Sequence, residues 1–199
     1  MGQAIVPIVE GQAEVESVPI LLRRLLTDLG ASDLLISTPF RVKRNRVVKE
    51  GELERAIKQA IRSRPDVRTV LVLLDSDDDC PARLGPELVG RCKRATHLPA
   101  AVVLAQKELE CWFLGAKESF RGVRGIRRDA IAPPDAEAIR GAKQHLTRNM
   151  EKGYRYLEVD DQPAMMDEID LGLARERCPS FARFCRETAR LASEVKKIG

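Results

Sequence analysis

Short apolar runs alternate with helical apolar periodicity through the first 117 residues. Ala4-Ile5-Val6-Pro7-Ile8-Val9 has the length of a strand and ends at Glu10-Gly11. Val15, Val18, Leu22, Leu25 or Leu26, and Leu29 then recur at helical spacing, which predicts a helix with one apolar face. Pro19 is expected in the first turn of that helix, where its missing N–H costs little. Leu34-Leu35-Ile36 reads as a second strand, and Leu53, Ile57, Ala60 and Ile61 mark a second helix stopping near Pro65. Val70-Leu71-Val72-Leu73-Leu74 is apolar at every position, as befits a strand covered on both faces. Pro81 opens a third helical stretch, Ala100 to Ala105 is a fourth apolar run, and a helix is expected from about Leu109.

This alternation predicts an α/β fold, a three-layer parallel sheet with right-handed crossovers. The remainder of the chain reads differently. Arg121-Gly122-Val123-Arg124-Gly125-Ile126-Arg127-Arg128 is a Gly/Arg-rich loop, and beyond Pro133-Pro134 the pattern is helical with breaks near Gly153 and Pro179. The division expected is an α/β core at 1–118 and a C-terminal helical appendage at 119–199, packed together as a single structural unit.

Composition narrows the class. A chain of 199 residues with 44% hydrophobic and 32% charged residues can bury a core, which excludes disorder. The 34 Lys+Arg against 30 Asp+Glu leave a formal net charge of +4, too slight to name a polyanionic partner. Five Phe, two Tyr and one Trp are too few for a binder that works mainly by stacking bases. Five cysteines without a CxxC pair, and two histidines far from any cysteine pair, argue against zinc. Unpaired thiols, no secretory leader and no apolar run near 20 residues point to the cytoplasm and away from the membrane.

The candidate chemistry lies where strands end, because parallel sheets open a ligand crevice at their carboxyl edge. The first strand ends at Glu10, the central strand runs into Asp75-Ser76-Asp77-Asp78-Asp79, and the fourth is followed by Lys107-Glu108-Leu109-Glu110. A chain that stays extended past Asp75 would point Asp75 and Asp77 the same way. Clustered carboxylates raise one another's pKa unless a cation is present, and hard oxygen ligands suit Mg²⁺ or Mn²⁺. Glu10, Asp75, Asp77 and Asp79 are the candidate metal ligands. The bland alternative is that Asp79 caps the helix opening at Pro81 and Glu14 complements a helix N-terminus. An EF-hand is excluded by Cys80 at the turn-glycine position and Pro86 where the loop needs glutamate. A P-loop and a nucleophile elbow are both missing.

Val9-Glu10-Gly11 after strand one and Asp75-Ser76-Asp77 after strand three resemble a TOPRIM domain. That fold occurs in topoisomerases, primases and overcoming-lysogenisation-defect nucleases. The chain also resembles a bacterial TOPRIM-like family of unknown function, often encoded beside an ABC-type ATPase and suspected of phage defence. That resemblance runs through Leu74-Asp75-Ser76-Asp77-Asp78, Glu108-Leu109-Glu110-Cys111-Trp112-Phe113 and Cys178-Pro179-Ser180-Phe181. It implies that Glu10 is a general acid or base, that Asp75 and Asp77 bind metal, and that Glu110 is a further catalytic acid. No topoisomerase tyrosine is evident, since Tyr154 and Tyr156 fall in the helical tail.

Arg41, Lys43, Arg44, Arg46 and Lys49 form one basic stretch; Arg121, Arg124, Arg127 and Arg128 form another. Arg41, Lys43, Arg44, Arg46, Arg124, Arg127 and Arg128 are the candidate contacts to DNA or RNA phosphates, against the alternative of solvated or ion-paired loops. Lys107 and Lys143 are either neutralisers of a transition-state phosphate or ordinary surface lysines. Trp112 and Phe113 are expected to anchor the tail to the sheet. The leading expectation is a Mg²⁺-dependent nuclease of a defence or DNA/RNA-processing system with an ATPase partner. The alternatives are a non-catalytic metal-binding adaptor of an ATPase and a small-molecule phosphatase.

Overall fold

In the computed structural model, which describes residues 2–198, the first apolar run forms β1 (Ala4–Val9), buried along its whole length. α1 (Gln12–Asp28) follows directly. Two short strands, β2 (Leu35–Ile36) and β3 (Phe40–Arg41), lead into α2 (Arg44–Val47) and α3 (Glu52–Arg62). The central apolar run is β4 (Val67–Asp75), followed by α4 (Pro81–Ala95) and β5 (Ala100–Ala105). These five strands pair in parallel, in the order β2-β1-β4-β5, with β3 also on β1.

Period-two alternation divides the sheet's side chains between two cores. Ile5, Leu71, Leu73, Ala101 and Val103 face one layer. Val6, Ile8, Val70, Val72 and Val102 face the other, against α3 and α4. Each fully buried Leu, Ile or Val contributes roughly 1.5–3 kcal/mol, so both faces of β4 must stay covered.

The tail supplies much of the first layer. α5 (Cys111–Gly115) is succeeded by a short 3₁₀ turn, then α6 (Ala142–Arg148), α7 (Glu158–Glu168), α8 (Leu171–Arg177) and α9 (Pro179–Ile198). α7 packs along α1, and α9 packs on β5 and α1. Trp112 is fully buried, its ring edge-on to Phe181 at 5.1 Å between centroids, and its indole N–H donates to Ser180 Oγ at 2.7 Å. Its role is packing. A Cβ at Gly115 would run into Cys178 Sγ. Gly115→Ala is therefore expected to cost about 1–3 kcal/mol of overpacking. Calorimetry should show the lowered melting temperature, and Cys178→Ala in the same chain should recover most of it.

Two local expectations are corrected. Pro19 lies in the middle of α1, not its first turn, because the helix already starts at Gln12 with Glu14 reaching back over its N-terminus. The helix expected from about Leu109 is only the five residues of α5. Among the described residues no helix is long and apolar enough to cross a membrane.

The topology decides where a ligand can enter. The chain leaves β1 through α1 towards β2, and leaves β4 through α4 towards β5, on the opposite side. α1 covers one face and α4 the other. The carboxyl ends of β1 and β4 therefore flank a topological switch point.

Candidate acidic site

Glu10 follows β1 and Asp75 closes β4, and the register of Ile8 against Val72 sets these two ends side by side. Gly11, at the N-cap of α1, has no side chain with which to cap the helix. Glu14 compensates, its Oε2 accepting the Glu10 and Gly11 N–H groups at 2.9 and 3.1 Å. Asp75 Oδ1 accepts the Leu109 N–H at 2.8 Å, tying the end of β4 to the loop after β5.

These carboxyls are costly to ionise together. Asp75 is pushed well above the usual carboxylate range by burial and by the charges of Glu14, Glu110 and Glu10. Burial raises Glu10 to about 7, helped by Glu14 and Asp77 and opposed by Arg44 and Lys143. Burial likewise raises Glu14. Glu10 Oε2 is buried with no hydrogen-bond partner among the described residues.

The acidic run does not continue as a strand. Ser76 is buried, its Oγ accepting the Lys107 N–H at 2.8 Å, while the Asp77 N–H donates to the Lys107 carbonyl at 3.0 Å. Asp77 and Lys107 both adopt left-handed backbone (φ 49° and 63°), uncommon for residues with a Cβ and often found at functional sites. The extended geometry that would have aimed Asp75 and Asp77 together is therefore not formed. Asp77 instead turns towards Arg44, whose Nε lies 3.5 Å from its carboxylate, yet stays near enough to Glu10 to raise its pKa. Arg44 also pairs with Asp79, and Asp78 pairs with Arg140. Cys80, not Asp79, occupies the N-cap of α4. With Nε and Nη2 engaged, Arg44 keeps Nη1 buried and without a partner among the described residues.

Glu110 sits deeper. It is 1% exposed, and Oε1 accepts the Tyr156 hydroxyl at 3.0 Å and the Gln162 amide at 3.2 Å. Ser17 donates to Gln162 Oε1 at 2.6 Å, which orients that amide. Lys143 Nζ stands 3.7 Å from Glu110 and 2.7 Å from Glu158, and this carboxylate company raises its pKa. Glu110 itself is raised to about 7 by burial. Glu110 thus aligns Lys143, Tyr156 and Gln162 behind the strand ends, and Lys143 is a fixed cation of the site. Ser17 on α1, Tyr156 before α7, and Glu158 and Gln162 on one face of α7 carry no motif that marks them in the sequence, because tertiary packing alone brings them to Glu110 and Lys143.

Glu10 thus neighbours both Asp75 and Asp77, Glu110 adjoins Asp75 from behind, and Asp79 stands at the rim with Arg44. Their hard oxygen donors suit a divalent cation, and the orphaned Glu10 Oε2 is an acceptor without a donor. Among the described residues no three His, Cys, Asp or Glu side chains form a ready-made metal cage. The donor set matches an ion held by one or two carboxylates and completed by water and substrate oxygens, as Mg²⁺ commonly is. A cleft of about 170 Å³ bordered by Asp77, Lys107 and Arg140 opens beside it.

The basic residues divide. The Arg41 guanidinium donates to the Glu10 carbonyl and to Gln12, both at 3.1 Å. Lys43 and Arg46 line a neighbouring cavity with Arg41. Of the second group, Arg124 is committed to Asp161 at 2.7 Å and Arg127 pairs with Asp129 at 3.3 Å, while Arg128 lies along Gly122. Asp161 in turn accepts the Leu157 N–H at 2.7 Å at the start of α7.

Residues 9–188 match the family described as a domain of unknown function (DUF4276). The chain belongs to that family. The matched DUF4276 span takes in every acidic-site residue named above, from Glu10 to Gln162. No curated protein and no solved structure matches the chain.

Proposed function

We propose that this DUF4276 chain is a divalent-cation-dependent phosphodiesterase of TOPRIM type that cleaves nucleic acid. One observation carries the reading: a buried acceptor, Glu10 Oε2, and a buried donor, Arg44 Nη1, both lack partners among the described residues at the same switch-point site. A phosphodiester with its cation is complementary to such a pair. Glu10 and Asp75 would hold Mg²⁺ or Mn²⁺, with Asp77 beside Glu10 at the edge of the site, and the ion when bound neutralises phosphate charge and acidifies water. Arg44 Nη1 is free to donate to a phosphate oxygen. Glu10, with its pKa near 7, can hold or release a proton at neutral pH. Lys143 supplies a second positive charge and keeps that pKa from rising further. The TOPRIM resemblance extends the proposal to a cytoplasmic bacterial defence or nucleic-acid-processing system with an ABC-type ATPase partner.

The test is cleavage of labelled DNA and RNA in Mg²⁺ or Mn²⁺, with and without the ATPase, by wild type and by Asp77→Asn checked for folding by circular dichroism. Cleavage by wild type alone among the two supports the proposal. Metal-induced stabilisation without any cleavage points to an adaptor, and turnover of an aryl phosphate with nucleic acid intact points to a phosphatase. In the metal-free chain Lys143→Gln is expected to raise the Glu10 pKa, because a cation that lowers it has been removed, and an NMR pH titration of the Glu10 carboxyl in EDTA should show the shift.

A further inference from the structure

The two-residue strand β3 pairs with the end of β1, Ile8 against Phe40 and Val9 against Arg41. This pairing brings the basic stretch beside Glu10. A cavity of about 400 Å³ opens there between β3, α2 and α3, within the size range of small-ligand sites. Its apolar wall is Phe40, Val42 and Ala56. Its polar wall carries four cations, Arg41, Lys43, Arg46 and Arg55, against one carboxylate, Glu52. Both Arg46 and Arg55 bind Glu52, whose pKa these contacts lower, so its single charge is shared between two guanidiniums. The wall keeps a surplus of positive charge and of N–H donors. Arg41 belongs to both neighbourhoods, because its Nε donates to the Glu10 carbonyl.

We propose that this cavity seats one unpaired nucleotide of a single-stranded nucleic acid, next to the phosphodiester held at Glu10 and Asp75. The proposal rests on the phosphodiesterase reading for the identity of the neighbouring site. A cationic wall takes the phosphate, and an apolar wall takes a base that is out of its stack. A duplex presents its phosphates on a convex surface and keeps its bases stacked, so it fills the cavity only after unpairing. The expected preference is for single strands.

Fluorescence anisotropy in EDTA tests binding without cleavage, using a short labelled single strand and a duplex of the same sequence. The single strand should bind about 10-fold tighter than the duplex. Lys43→Ala and Arg55→Ala should each weaken it by about 10-fold and make the log–log salt dependence shallower by about 0.7 per lost phosphate contact. Arg62→Ala, exposed on α3 outside the cavity, should change neither. Equal binding of duplex, or losses as large for Arg62→Ala as for Lys43→Ala, overturns the proposal even where Mg²⁺-dependent cleavage persists. Displacement of the strand by a free mononucleotide at equal affinity also overturns it, since the cavity then serves a free nucleotide. Strand binding lost in the cavity variants, together with no cleavage in any divalent metal, supports the cavity and removes the nuclease reading instead.

Discussion

Replacing Asp75 by asparagine is expected to lower metal-dependent cleavage by about 10³-fold while raising the melting temperature of the metal-free chain. The two effects have one origin. Asp75 is buried among Glu14, Glu110 and Glu10, and its carboxyl is pushed far up by burial and their charges. A group whose folded pKa lies above its unfolded value opposes folding once the pH exceeds the unfolded value. Asparagine removes that opposition. It keeps an Oδ1 to accept the Leu109 N–H and has nearly the same volume, so the β4–β5 junction has no reason to shift. The metal-free protein at pH 8 should melt a few degrees higher, and the stabilisation that Mg²⁺ gives wild type should shrink. Activity and stability moving in opposite directions marks a residue kept for function. A purely structural Asp75 would show the reverse, a lower melting temperature with cleavage unchanged. Differential scanning calorimetry with and without Mg²⁺, beside the cleavage assay, separates the two cases.

Much of the frame was legible because burial leaves few choices. A run as apolar as Val70–Leu74 has to be covered on both faces, and parallel strands covered that way need helical crossovers. Glu10 and Asp75 could be named because each is the first acidic residue beyond an apolar strand. The path after Asp75 could not. Whether Asp77 continues the strand or turns depends on its N–H finding the Lys107 carbonyl, a contact made across 30 residues. Pro19 lies deeper in α1 than its spacing predicts for a related reason: α1 begins where Glu14 can reach back to Glu10 and Gly11, and a proline within the helix is tolerated. Lys143 carried two readings in the sequence, and only its approach to Glu110 and Glu158 separates it from a surface lysine. The two arginine groups looked equivalent as composition. Asp161 and Asp129 engage Arg124 and Arg127, whereas Arg41 and Arg44 stand against the acidic site.

Raising the pH from 5 to 8 in EDTA is expected to lower the melting temperature by about 10 °C, and Mg²⁺ is expected to return most of the loss. Glu10 and Glu110 titrate at about 4.5 in the unfolded chain and about 7 in the folded one. Between those values folding retains protons that unfolding releases, so stability falls as pH rises and levels off above the folded values. For Glu110, which is 1% exposed, the shift corresponds to a loss on the order of 3 kcal/mol. Glu14 and Asp75 act in the same direction. His145 opposes them, because burial and the Lys117 and Arg148 charges hold its pKa down and stability is gained as the unfolded imidazole deprotonates. Glu137, raised by burial beside Ser180, adds to the loss, but it lies outside the acidic site and its share should not return with Mg²⁺. Glu110→Gln keeps an acceptor for Tyr156 and Gln162 and removes the charge, so its profile should be the flatter one without metal. A cation bound at Glu10 and Asp75 reverses the pH trend because it binds the ionised carboxylates and competes with their protons. A wild-type profile already flat from pH 5 to 8 in EDTA, and unmoved by Mg²⁺, would mean that these carboxyls are neutralised within the protein, and the site would then have no demand for a cation.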